Sequence, residues 1–175
     1  MTEIHNFYAN LYDKDSGSIP SDEFLKGINS KMLTDEQRER LDTKITIIEY
    51  FEALKSFEKN KTTGNDGLSI EFYLASWDLG GECLVDALTS PQEQGQLSTS
   101  QNQAMITLLE KKDKERRFIK NWRPISLINV DVKIASKAIA RRLEPILPEL
   151  IHPIQNGFIK GRSILDAARR SEEHT

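Results

Sequence analysis

The pattern that most restricts the fold lies in residues 104–147, where two short apolar runs precede a long amphipathic stretch. The runs AMITLLE and RPISLIN contain β-favouring residues and are separated by the charged segment KDKERRFIKNW. This arrangement predicts a β-hairpin with a basic tip. Residues 132–147 then have the spacing of a basic amphipathic helix, after which Pro145 and Pro148 bend the chain.

The sequence before the hairpin predicts helices. Residues 1–12 have an apolar face, and Thr34 with Gln37 and Thr46 with Glu49 have the spacing of capping boxes. We expect the helix after Thr46 to bury Ile47, Ile48, Phe51 and Leu54. Residues 69–79 and 80–95 predict two further helices, with Cys83 packed in the core. The expected fold class is therefore α+β, mostly helical, with a small antiparallel hairpin.

Composition excludes several classes of protein. One cysteine and three histidines among 175 residues argue against an internal disulfide and a Cys/His zinc cluster. No apolar run approaches the roughly 20 residues that a membrane span needs, and the first residues lack the features of a secretory signal. We therefore expect an intracellular protein without a membrane partner, whose compartment and oligomeric state stay open.

The charge is distributed unevenly along the chain. Residues 1–110 carry 9 Lys and Arg against 19 Asp and Glu, whereas residues 111–170 carry 15 against 6. An acidic front and a basic back are typical of a chain with a polyanion-binding surface. The alternative, which charge alone does not exclude, is a basic face that serves solubility.

The basic residues concentrate in the predicted hairpin and in the helix that follows it. Lys111 and Lys112 end the first strand, and Arg123 opens the second. The helix spaces three cations at i, i+4 and i+8 on one face: Lys133, Lys137 and Arg141. The residues expected to pack on its other face are Val132, Ala135, Ile139, Leu143 and Ile146. A rigid helix with three outward cations is suited to follow a nucleic-acid backbone.

Four segments, in order, resemble the reverse transcriptase of a non-LTR (LINE-type) retrotransposon. They are NKTTGNDGLSIEFY, ITLLEKKDKERRFIKNWRPISLIN, VDVKIASKAIARRLEPILPELI and HPIQNGFIKGRSILDA, and the match covers roughly residues 5–168. The resemblance implies a helical extension or linker over residues 1–59 and part of the fingers of a right-hand polymerase over residues 60–169. The family usually has Pro where this chain has Thr63. Residues 60–67 are expected to fix a turn rather than contact substrate.

The resemblance also implies roles for individual residues. Lys111 or Lys112, together with Arg123, would bind the triphosphate of the incoming nucleotide. The cationic helix would contact template and primer. Residues of the Gln-x-Gly-Phe-x-x-Gly-Arg segment would lie near the template: Gln155, Gly157 and Phe158, with Gly161 and Arg162 as weaker backbone contacts. Core packing is the alternative for Phe158. The complete enzyme would take RNA template, DNA primer and deoxynucleotide, with Mg²⁺ as cofactor.

The metal-binding aspartates of the family's palm are missing from this sequence, which has no Asp-Asp dipeptide. Asp166 corresponds to a position before the palm motif, so we assign no catalytic or metal-binding residue and expect no polymerisation by this chain alone. Residues 170–175, RSEEHT, are what the start of a sequencing adapter encodes, so we expect a non-native tail. The alternatives are a non-enzymatic RNA-binding module and the inert product of a decayed element.

Overall fold

A computed structural model describes residues 2–13, 31–163 and 165. The expected tail at 170–175 and Asp166 lie outside the described residues. The chain divides into two compact units, each of two chain segments. The first combines Met1–Asn29 with Met105–Ser126, and the second combines Ser30–Ala104 with Leu127–Thr175.

The first unit contains a helix and most of the β-hairpin. Helix α1 spans Thr2–Tyr12, strand β1 spans Ala104–Glu110 and strand β2 spans Trp122–Ile128. A short 3-10 helix, Ile119–Asn121, precedes β2. The two strands are hydrogen-bonded neighbours, which confirms the predicted antiparallel hairpin. In α1 the ring of Tyr8 is buried and packs edge-on against its neighbour Phe7, with 5.1 Å between ring centroids.

The second unit is helical. Its helices are α2 Asp35–Asp42, α3 Ile47–Lys55, α4 Ile70–Ala75, α5 Trp77–Gln94, α6 Val130–Leu143 and α7 Leu147–Leu150. The core forms chiefly between α3 and α6, where Tyr50, Leu54 and Ile134 are fully buried. Both capping boxes are present, because Thr34 and Thr46 each accept a backbone hydrogen bond from the third helical residue, whose side chain bonds back. The expected α+β class is confirmed.

The buried face of α3 differs from the predicted stripe. Ile48 is 70% exposed and Ile47 is also exposed, whereas Tyr50, Ala53 and Leu54 are buried. Positions 50, 53, 54 and 57 share one helical face, and the two isoleucines lie in the first turn, largely outside it. The prediction of Ile47 and Ile48 as core residues was therefore wrong.

The buried face of α6 also differs from the prediction. Four residues spaced by four face the core: Val130, Ile134, Ala138 and Arg142. Of the predicted packing residues, Ile146 is buried beyond the helix end, Ile139 is 44% exposed and the others are half-buried. The helix carries apolar residues on two adjacent faces. The face that is buried includes Arg142, and because an arginine is rarely buried the sequence did not indicate that this face belongs to the core.

The prediction of a packed Cys83 was wrong, because this residue is exposed on α5. It lies five positions before the buried Leu88, which places it about 140° around the helix from that residue. The core side of α5 instead includes Gly81, which packs against the indole of Trp77. In the described part of the chain, no helix combines the length and apolar character required to cross a bilayer.

Candidate nucleic-acid interface

The turn at residues 60–67 packs against the start of α6. The backbone N–H of Gly67 donates to the carbonyl of Gly64 at 3.3 Å, and that of Asp66 donates to the Asn129 side chain at 3.4 Å. A Cβ atom on Gly64 would lie 2.2 Å from Asn129 Oδ1 and 2.5 Å from its backbone nitrogen. A residue without a side chain is therefore required at position 64. The predicted turn is present and supports α6.

Hydrogen bonds hold the backbone of the hairpin tip, which is defined as residues 111–121, in a closed turn. The Trp122 indole N–H donates to the Arg116 carbonyl at 3.0 Å, and the Asn121 side-chain amide donates to the Glu115 carbonyl at 2.9 Å. The backbone N–H of Lys111 closes the tip by donating to the Asn121 carbonyl at 3.0 Å. Sequence reasoning missed this role of the Asn-Trp pair, although the pair stands directly before the predicted second strand.

Some cations of the tip are engaged within it. Arg116 pairs with Glu110 at 2.7 Å, and Arg117 pairs with Glu115. Lys111 is half-buried, and its ammonium donates to the Lys120 carbonyl at 2.7 Å. Among the basic residues of the tip, together with Arg123 just beyond it, those that are exposed and form no ion pair with a described residue are Lys112, Lys114, Lys120 and Arg123. Of the residues predicted to bind the triphosphate, Lys112 and Arg123 are thus the unengaged ones.

The three predicted cations of α6 lie beside its buried face. The ammonium of Lys133 approaches the Thr62 carbonyl at 3.4 Å, and Arg141 donates to the Glu52 carbonyl at 3.2 Å. Lys137 is exposed, and no hydrogen bond or ion pair joins it to another described residue. The stripe is therefore present on one face of α6, with its two ends in contact with neighbouring backbone.

A further arginine of α6, Arg142, has a structural role that the sequence did not suggest. Its side chain is 10% exposed and binds both carboxylate oxygens of Glu49, at 2.6 and 2.8 Å. It also donates to the main-chain carbonyls of Lys44, at 2.8 Å, and of Leu41 and Thr43. The hydrogen bonds that its carboxylate accepts from Arg142, and to a lesser extent from Thr46, lower the pKa of Glu49 to about 2. The guanidinium thereby ties α6 to the start of α3.

The loop of residues 148–162, which begins in the last residues of α7, contains five of the predicted template contacts. Phe158 has φ of +62° and a fully exposed side chain, so the alternative of core packing was wrong. Gln155 is exposed, and a Cβ on Gly157 would meet only its Nε2, at an ordinary 3.7 Å. Gly161 has φ of +79°. Arg162 is half-buried, and within the described part of the chain its side chain donates to four backbone carbonyls of this loop, at 2.7–2.9 Å.

The part of the chain that the structure describes does not supply a metal site, because no three His, Cys, Asp or Glu side chains come together there. The described residues thus offer no set of ligands that fits a divalent metal ion.

Comparison with known proteins identifies the class. Residues 109–175 match the family of reverse transcriptases (RNA-dependent DNA polymerases). These residues include the hairpin tip, α6 and the loop with Phe158. The chain therefore carries part of a reverse transcriptase sequence, and the complete enzymes of this family depend on a divalent metal, an RNA template and a DNA primer.

A relative of most of the chain is the Transposon TX1 uncharacterized 149 kDa protein of Xenopus laevis. It is 41% identical over 162 residues, which are 92% of this chain and 12% of that protein. The resemblance to a retrotransposon reverse transcriptase of the non-LTR type is thereby confirmed. The chain spans about an eighth of the length of this relative.

Proposed function

We propose that this chain forms part of the fingers of a retroelement RNA-directed DNA polymerase and binds polyanions through two cationic surfaces. Residues 60–169 are the fingers portion, residues 1–59 the extension that leads into it and residues 170–175 a non-native tail. The observation that carries the proposal concerns the hairpin tip: side-chain hydrogen bonds hold its backbone, while several of its cations are exposed and form no ion pair with a described residue. The tip lies within the residues that match the reverse transcriptase family.

The tip, together with Arg123 at the start of β2, is the proposed contact for the triphosphate of the incoming nucleotide. Arg123 offers a planar fork for phosphate oxygens, and Lys112 offers a compact charge on a flexible stem. Lys111 has its ammonium on a backbone carbonyl, which favours Lys112 as the lysine that meets the triphosphate. The rigid backbone reduces the entropy lost when these side chains close on a ligand.

Equilibrium dialysis of a radiolabelled deoxynucleoside triphosphate against the chain tests this assignment. The double variant K112Q/R123Q should lose most of the binding that the unchanged chain shows. The matched control is K114Q, which removes an exposed cation from the same tip. If K114Q weakens binding as much as K112Q/R123Q does, the tip acts only through its overall charge and the assignment fails.

The second surface is the proposed contact for template and primer. It consists of the cationic stripe Lys133, Lys137 and Arg141 with the exposed side chains of Gln155 and Phe158, all in the second unit. Cations that follow a backbone give sequence-independent affinity, and an exposed aromatic ring offers a face on which a base stacks. This surface therefore has the chemistry of a site for single-stranded template.

RNA binding measured against salt concentration tests the second surface. For single strands, each phosphate contact contributes about 0.7 to the slope of log K against log[salt]. Replacing the three stripe cations by Gln should therefore lower the slope by about 2. The control R38Q removes an exposed cation of α2, at the surface pair with Asp35, and should leave the slope unchanged. An unaltered slope in the triple variant would show that the stripe only solvates the helix.

A second function, RNA binding without catalysis, is favoured by the absence of a metal-ligand cluster in the described residues. On this reading the chain alone binds RNA and extends no primer. Primer extension on an RNA template with Mg²⁺ separates the two functions. Template-dependent incorporation by the purified chain would reject the non-catalytic reading, and incorporation at background level together with salt-dependent RNA binding would support it.

A further inference from the structure

The loop of residues 148–162 is held from within by one side chain. The Arg162 guanidinium donates to the carbonyls of Pro148 at 2.7 Å, Ile151 at 2.8 Å, Gln155 at 2.8 Å and His152 at 2.9 Å. All four distances are typical of strong N–H···O hydrogen bonds. Two nitrogens of the fork are thus saturated with acceptors of its own loop, and little of the guanidinium remains for an external phosphate.

The same loop keeps Phe158 in an unfavourable state. Its φ of +62° is uncommon for a residue with a bulky side chain, and its ring is fully exposed. A turn on each side fixes its place in the loop: Gln155 N–H donates to the His152 carbonyl at 3.0 Å, and Arg162 N–H donates to the Ile159 carbonyl at 3.2 Å. Strain of this kind persists only where the surroundings determine the backbone, and here the surroundings include the Arg162 network.

We propose that Arg162 is a positioning residue for template binding: it orders the loop so that Phe158 presents its ring to an unpaired nucleobase. This inference rests on the proposed function, and it replaces the expectation that Arg162 itself contacts the nucleic acid. An ordered loop lowers the entropy lost on stacking, so the arginine raises affinity without touching the ligand. Lysine cannot substitute for it, because an ammonium has no planar fork that reaches four carbonyls.

The ordering itself is measured without nucleic acid, by ¹⁵N relaxation of the Phe158 amide. In the unchanged chain its order parameter should be near that of a rigid backbone, about 0.85. In R162A and in R162K it should fall below about 0.6 while the rest of the second unit keeps its values. The matched control is K160A, which removes a cation of the same loop that makes only a 3.6 Å surface contact with Glu144. Order parameters at Phe158 that are unchanged in R162A would overturn the inference.

RNA binding then separates positioning from direct contact. Base stacking on an aromatic ring predicts that F158A weakens binding of a single-stranded RNA about tenfold. R162A and R162K should weaken it to a similar extent, and the double variant F158A/R162A should be no weaker than F158A. The salt slope should stay the same in all of them. A slope that falls by about 0.7 in R162A, restored in R162K, would show a phosphate contact and overturn the inference.

The two experiments keep the inference distinguishable from the function on which it rests. If F158A binds RNA as tightly as the unchanged chain, the proposed template contact of Phe158 fails and the inference falls with it. If F158A weakens binding while R162A does not, the proposed function stands and only the positioning role fails. Where R162A does not fold, R162K answers both measurements.

Discussion

Removing Arg142 should destabilise the second unit more than any change on its cationic surface. The side chain is 10% exposed, and its loss leaves three main-chain carbonyls without their donor and leaves the Glu49 carboxylate with hydrogen bonds from Thr46 alone among the described residues. Breaking a buried ion pair by removing one partner costs about 3–5 kcal/mol. Because Glu49 is 34% exposed and regains water, the lower end applies, and we expect R142A to lower the free energy of unfolding by about 3 kcal/mol.

The same ion pair predicts how stability depends on pH. The pKa of Glu49 is lowered from its ordinary 4.5 to about 2, chiefly by hydrogen bonds from Arg142. A carboxyl with a lowered pKa in the folded state stabilises fully above pH 4.5, and this contribution disappears as the pH falls from 4.5 through 2. At about 1.4 kcal/mol per tenfold change in proton affinity the shift amounts to about 3 kcal/mol, which solvent screening of a partly exposed group reduces to about 2.

Urea unfolding followed by circular dichroism at pH 7 and at pH 3 measures both effects. E49Q keeps the shape of the side chain without the charge, so it should be less stable than the unchanged chain at pH 7 and should show a smaller loss between pH 7 and pH 3. R38Q is the control, because its surface pair should contribute below about 0.5 kcal/mol. Changes under about 0.5 kcal/mol at pH 7 in both R142A and E49Q would refute the reasoning.

Other substitutions test the remaining elements, each with its own measurement. G64A should lower the unfolding free energy by about 2–3 kcal/mol, since its Cβ would lie 2.2 Å from an atom of Asn129, the residue directly before α6, whereas G157A meets its nearest atom at 3.7 Å and should change it by under 1 kcal/mol. T34A and T46A remove the two helix caps and should each cost about 1 kcal/mol in urea unfolding. Cys83 should react with a thiol reagent in the folded chain about as completely as in urea, because it is exposed.

The features that sequence predicted well are those with a local cause. Thr34 and Thr46 cap helices because a hydroxyl and a side chain three residues later bond neighbouring backbone, which needs no tertiary contact. The hairpin follows likewise from two β-favouring runs around a charged turn. The turn at residues 60–67 was also predicted from the sequence. Its structural cause, the close approach of Asn129 to Gly64, was not predicted.

The features that the sequence did not predict depend on which face of a helix packs against another helix. Ile47 and Ile48 are more apolar than Tyr50, yet the tyrosine is buried because its face of α3 meets α6. Arg142 would ordinarily be assigned to the surface, and its burial is favourable because it pairs with the carboxylate of Glu49, 93 residues earlier, and donates to three backbone carbonyls near that residue. Interactions between positions so distant in the sequence leave no local pattern.

Some basic residues in the second half of the chain bind acceptors within the protein, and others are exposed to solvent. The total number of basic residues therefore overstates the number that are free to bind nucleic acid. Residues 111–163 carry thirteen Lys and Arg. Five of them bind internal carboxylates or carbonyls at 2.8 Å or less: Lys111, Arg116, Arg117, Arg142 and Arg162. Four are exposed and make no hydrogen bond, ion pair or ring contact with another described residue: Lys112, Lys114, Arg123 and Lys137. The other four make weaker contacts: Lys120 lies over the Phe118 ring at 5.4 Å, and Lys133, Arg141 and Lys160 contact oxygen atoms at 3.2–3.6 Å.

The cations that bind internal acceptors order the backbone segments on which the exposed cations lie. The tip, the helix junction and the Phe158 loop are each ordered by positive side chains on backbone oxygens or carboxylates. The salt dependence of RNA binding should therefore follow the three stripe cations, Lys133, Lys137 and Arg141, rather than the total. Three contacts give a slope of about 2 in magnitude and thirteen give about 9, so a value near the larger number would mean that the internal hydrogen bonds open when RNA binds.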